Sequence, residues 1–342
     1  MSEMNDAPTL ARLVPAWTAD IQDYPVALAW SPHGDALAVG GAAGRVFVLD
    51  GDGRHRYTIV AHDEGLLDLS WSRDGRLLAT AGQDGCARLW QDGALHATVP
   101  GQSQWLERVA WSPDAEVLAV ADGRTLVFRD ADGVQLTACE PEAYTLLDMR
   151  WLPDGSLLTA AYGGVSRWRP GQPAPVARYP WKGALLALAP NRDGTRLAAG
   201  LQEAGVHYWH LDSGDELYMR GYATKVRELS WDPDGRYLAT GGGASLVIWD
   251  CGGDGPAGTE PMVLDLHVKP IRALAFAPRG QAIASGSRDG SVVVLDPTAT
   301  APAATLLRNS EVTGLAWRPD ASRVVFAFAD GHLAACPGAM AA

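Results

Sequence analysis

The sequence predicts an all-β fold of eight repeated four-stranded units, and three observations predict it. An aromatic anchor recurs at near-constant spacing. A turn built from Pro, Asp and Gly follows each anchor. Helical periodicity is absent, because turn residues interrupt the 342-residue chain too often for helices of ordinary length. Composition agrees: 47% hydrophobic and 20% charged residues is a globular balance, and 38 Gly and 22 Pro beside 13 Trp fit short strands joined by tight turns.

The anchors are Trp30, Trp71, Trp111, Trp151, Pro190, Trp231, Phe276 and Trp317, with Pro190 standing where an aromatic is expected. Their spacings are 41, 40, 40, 39, 41, 45 and 41. Each unit opens on an apolar strand ending at the anchor, such as LLDLSW (66–71) or VRELSW (226–231). The turn that follows reads SPHG, SRDG, SPDA, LPDG, NRDG, DPDG, APRG or RPDA. Pro presets φ, Asp caps its own backbone and Gly accepts positive φ, so each is a hairpin turn with a mechanism. A second strand such as LLATAG (77–82), a Gly-containing bend, a third strand such as CARLWQ (86–91) and a weaker fourth strand such as HRYTIVAH (55–62) complete the pattern. Four short strands in about 40 residues is the grammar of a propeller blade.

These units resemble the WD-repeat family of β-propellers over roughly residues 10–336. The resemblance implies a disc of radial blades around a central channel. In that family a His before the first strand, a Ser or Thr on the second, an Asp in the next bend and a Trp on the third form a hydrogen-bonded set. Here the repeat at 62–91 matches best, with His62, Thr80, Asp84 and Trp90. Residues His267, Ser285 and Asp289 keep the spacing, but Leu295 replaces the Trp. Elsewhere the match weakens: GGAAG (40–44) has no Asp, and most first strands lack a preceding His. A half-buried imidazole needs a partner for its N–H, and an aspartate in a tight bend supplies one, so this set is expected to be structural.

Eight sets of first, second and third strands begin near residues 26, 66, 106, 146, 185, 226, 271 and 312. The last set ends near Cys336 without a fourth strand of its own. VPAWT (14–18) lies where fourth strands lie before later anchors, so it is expected to close the ring. Pro15 there suits an outermost strand. Eight blades departs from the family's usual seven; the alternative is seven, with the unit at 185–222 degenerate. The chain divides into an N-terminal extension (1–9), a single propeller (10–336) and a tail (337–342). The Gly- and Pro-rich insertion at 251–261 reads as a mobile loop.

Function is left to the loop rim and the channel mouth. Just before first strands, at the face where the family usually holds partners, stand Tyr24, Trp105, Tyr144 and Trp181. The last three belong to consecutive units and would form an arc of large apolar area with polar tips, suited to a protein or peptide. Inner-strand charges come next. Asp68, Arg108 and Asp148 on neighbouring units read as inter-blade ion pairs. Arg227 and Arg272 have Glu228 near them and leave a spare positive charge able to grip an acidic side chain.

Other chemistries lack a signature. Net charge is −12, which repels phosphate backbones and anionic membranes. Nucleotide motifs are missing, and no run approaches the roughly 18 apolar residues of a membrane helix. His207 and His210 sit three apart on a strand and point to opposite faces, so no metal is expected. Cys86, Cys139, Cys251 and Cys336 are far apart, and the first residues lack a secretory pattern, which together point to reduced thiols in a cytoplasm. The Ala-, Gly- and Arg-rich composition hints at a bacterial source. The expected function is a non-enzymatic scaffold without cofactor. The alternative is a propeller enzyme, or a small-ligand or metal-binding protein, using the channel.

Overall fold

Each apolar run that ends at an anchor becomes an innermost strand. In the computed structural model, which describes residues 11–114, 117–253, 255–298 and 303–338, these include Pro25–Trp30, Leu66–Trp71, Arg108–Trp111, Asp148–Trp151, Leu229–Trp231, Ile271–Phe276 and Val312–Trp317. All regular structure among the described residues is β-strand. The second unit shows the pattern: Leu66–Trp71, Leu78–Gly82, Cys86–Gln91 and Ala94–Pro100 pair in that order, each antiparallel to the last. Second strands such as Ala36–Gly41 and Leu118–Asp122 are buried at every residue, because neighbouring blades cover both their faces. Outer strands such as His55–Val60 are largely exposed.

The strands form seven hydrogen-bonded sheets: five of four strands, one of five and one of six. The expectation of eight blades is therefore corrected to the alternative of seven. The fourth and fifth repeats share the six-stranded sheet, and the cause is local. Leu157–Trp168 turns back at Gly163 and Gly164, whose φ values are 100° and 142°, with no irregular bend between its halves. The Trp168 Nε1–H donates to Thr159 Oγ1 at 2.9 Å across that hairpin. Ala177–Pro190 then runs without a break from an outer to an inner position. Its first part pairs with Val165–Arg167 and its last part with Leu197–Leu201.

The apolar core lies in the seams between blades. Ala38, Val46 and Val48 of the first unit pack with Leu66, Leu69, Leu78 and Trp90 of the second. The anchors stitch these seams. Trp71, Trp151, Trp231 and Trp317 each donate an indole N–H to the inner-strand carbonyl of the preceding unit (Ala29, Ala110, Ala189 and Ala275) at 2.8–3.1 Å. Trp30 reaches Ala316 across the closure at 3.2 Å. Pro190 and Phe276 have no such donor, and Trp111 Nε1 is buried without a partner among the described residues.

The ring closes on its first residues. Trp17–Asp20 pairs antiparallel with His332–Pro337, with Trp17 opposite Ala335. Pro15 lies just before this strand, where no ladder bond needs its nitrogen. Ala11–Arg12 adds a parallel fifth strand to the adjacent sheet at Ala304–Leu307. The extension 1–9 and most of the tail lie outside the described residues. The insertion at 251–261 is held at its near end rather than slack. Cys251 is fully buried, and Arg196 donates to the carbonyls of Cys251 and Gly253 at 2.6 and 3.0 Å.

Candidate functional site

The structural set of the second unit forms one connected network. Trp90 Nε1 donates to Thr80 Oγ1 at 3.0 Å, and Thr80 meets His62 Nε2 at 2.9 Å. His62 Nδ1 meets Asp84 Oδ1 at 2.9 Å, and Arg88 holds Asp84 Oδ2 at 2.6 Å. Thr80 Oγ1 accepts from the indole and lies against both Nε2 and the Arg88 carbonyl, while Nδ1 of a neutral imidazole lies between Asp84 and Arg88, whose Nη1 is 2.8 Å away. Burial depresses the His62 pKa against the pull of Asp84, consistent with that neutral form.

The seventh unit is wired differently. His267 Nε2 meets Ser285 at 2.8 Å, but its Nδ1 meets Ser291 at 2.6 Å. Ser291 in turn donates to Asp289, so the aspartate acts through a serine. Burial pushes His267 down to about 4. The sixth unit carries a variant that sequence reading missed. Tyr222 stands 18 residues before Thr240, as His62 does before Thr80, and meets Thr240 Oγ1 at 2.9 Å while accepting from Trp249 Nε1 at 2.9 Å. The shared spacing was the available signal.

On the loop face, Trp105 (47% exposed), Tyr144 (51%) and Tyr24 (40%) are open to solvent. Trp181 is not part of this arc. It folds back over its own unit, 4.2 Å from the His207 ring and 5.3 Å from Tyr218. Tyr162, overlooked in the sequence, takes its place: it is 51% exposed and meets Tyr144 edge-on at 4.9 Å. The two tyrosines flank a pocket of about 210 Å³ that Tyr179, Val165 and Glu142 also line. Arg178 braces Glu142 at 2.8 Å.

In the channel, Asp68 and Asp148 do not pair directly with Arg108 as expected. Their carboxylates cap the next unit: Asp68 accepts the Val109 N–H at 3.2 Å, and Asp148 accepts the Leu188 N–H at 2.8 Å. Asp148 takes its ion pair from Arg150, at 2.9 Å. Arg108 lies close enough to feel both acids. Arg227 and Arg272 are exposed to the channel beside Glu228. Burial pushes the Glu228 carboxyl up, although both arginines pull it down. Among the described residues no cluster of His, Cys, Asp or Glu is arranged to hold a metal.

With the blades, anchors and His–Thr–Asp–Trp set in place, comparison with known proteins identifies the repeats. The family model "WD domain, G-beta repeat" matches residues 53–91, 216–250 and 258–296. Those three stretches are WD repeats. Among curated relatives, THO complex subunit 3 of Arabidopsis thaliana is 27% identical over 143 residues, 40% of this chain and 44% of that protein. Serine-threonine kinase receptor-associated protein of Homo sapiens is 25% identical over 148 residues, 43% of this chain and 41% of that protein. The chain thus matches less than half the length of these WD-repeat relatives, and both come from eukaryotes. Among solved structures, the computationally designed Ika8 protein superposes with a TM-score of 0.80 at 20% identity, covering 97% of this chain and all of that one, which shows a shared fold.

Proposed function

We propose that this WD-repeat propeller is a non-enzymatic scaffold that holds a partner protein or peptide on its loop face. The observation that carries this reading is the cluster of exposed aromatics there. Trp105 and Tyr144 precede the inner strands of adjacent units, and Tyr162 stacks against Tyr144 beside a small pocket. Large aromatics left in water cost solvation that a partner can relieve, and they supply contact area with few rotatable bonds. A rigid ring adds little ordering cost on binding. The reading places the protein in a cytoplasm, as one propeller of seven blades. Three of the four cysteines are buried, which suits reduced thiols. Substituting Trp105, Tyr144 and Tyr162 by Ala in a protein that stays folded is expected to abolish capture of the partner. Unchanged capture would move the site elsewhere.

A further inference from the structure

We propose that the central channel binds a small multivalent oxyanion, with Arg150, Arg227 and Arg272 as its ligands. The site is separate from the loop-face aromatics and does not rest on them. Arg150 and Arg272 on two inner strands, and Arg227 two residues before a third, line one pocket of about 420 Å³ together with Leu229, Leu274 and Leu315. Arg150 is the link: it also lines an adjoining pocket of about 520 Å³, which Arg192 and Asp232 line as well.

Placing like charges together is costly, and the cost grows as the local dielectric falls. Counter-charge around these arginines is incomplete. Asp148 pairs with Arg150, but it also accepts the N–H groups of Leu188 and Met149. Glu228 is the one carboxylate lining the 420 Å³ pocket, and it faces both Arg227 and Arg272. A positive focus therefore sits inside a chain whose net charge is −12, against the average field of the molecule. Guanidinium forks match carboxylate and phosphoryl oxygens in pairs, and three arginines lining one pocket suit an anion with several oxygens rather than one. Both pockets fall within the usual size of small-ligand sites, about 300–1,000 Å³.

The test is calorimetric titration of the full chain with citrate and, separately, with pyrophosphate, at constant ionic strength in chloride buffer. At least one is expected to bind, and which one separates a carboxylate from a phosphoryl ligand. The Arg227→Ala/Arg272→Ala double variant is expected to weaken that binding by about tenfold or more, as loss of charge-assisted hydrogen bonds does. Arg76→Ala, a substitution of an exposed arginine in a surface turn, is expected to change nothing. Should the double variant fail to fold, the single changes Arg227→Gln and Arg272→Gln carry the same reading. Absence of binding by both probes, or equal binding by parent and variants, would overturn the proposal and leave the arginines as partners of Glu228 and Asp148 alone.

Discussion

Replacing Thr80 by Val probes the wiring of the best-formed repeat without changing its shape. Thr80 is fully buried, and its hydroxyl serves Trp90 Nε1 at 3.0 Å and His62 Nε2 at 2.9 Å. Valine keeps the branched outline, so no cavity opens, but both partners lose their bond in a place water does not reach. Each stranded buried polar group costs about 1–3 kcal/mol, so the change should cost about 2–6 kcal/mol. That is a large share of the roughly 5–15 kcal/mol by which a domain is stable. Thr159→Val is the internal comparison, because Thr159 serves Trp168 Nε1 alone, at 2.9 Å. It should cost about 1–3 kcal/mol. Urea denaturation read by tryptophan fluorescence gives both values. A Thr80→Val shift no larger than that of Thr159→Val would refute the double role of Thr80.

Four further outcomes are expected. His267 is held at about 4 against an ordinary 6.5, so the unfolded chain binds its proton first as pH falls. Stability present above pH 6.5 should therefore be lost on going down to pH 4, by about 3 kcal/mol for this group, and His267→Gln should flatten that part of the pH–stability curve. Trp151→Phe removes an indole bond to Ala110 and should cost about 1 kcal/mol more than Trp111→Phe, whose indole has no partner to lose, as compared by thermal melts. Ala321 occupies the turn position where other units have glycine, at φ 62°, so Ala321→Gly should raise stability by about 0.5–1 kcal/mol in urea titration. Removing residues 1–20 uncovers the edge of His332–Pro337, and the truncated chain should self-associate in light scattering where the full chain does not.

Much of this fold was legible because its signals are local and repeated. The anchors, the Pro-Asp-Gly turns and the closing strand before Trp30 all follow from spacing and turn chemistry. What spacing did not reveal was the fusion of the fourth and fifth repeats. There the turn between second and third strands shrinks to Gly163 and Gly164, and no break separates an outer strand from the next inner one. The wider purpose of the anchors, an indole bond to the preceding unit, depends on contacts about 40 residues away. The loop face was half legible. Trp105 and Tyr144 stand open, but Trp181 is drawn down by His207 and Tyr218, which are distant in sequence and adjacent only once the blade forms. Tyr162 went unread because it occupies a turn position, not the segment before a first strand. In the channel, Asp68 and Asp148 looked like salt-bridge partners by register, yet backbone N–H groups of the following units claim them.

The most direct test of the scaffold reading is affinity capture from native lysate with three forms of the tagged protein. These are the parent, the Trp105→Ala/Tyr144→Ala/Tyr162→Ala variant, and a Val60→Ser variant altered on an exposed outer strand, each first shown by thermal melting to be folded. A partner retained by the parent and by Val60→Ser, and lost by the triple variant, is the predicted result. A set of captured proteins that is the same for all three forms would contradict it.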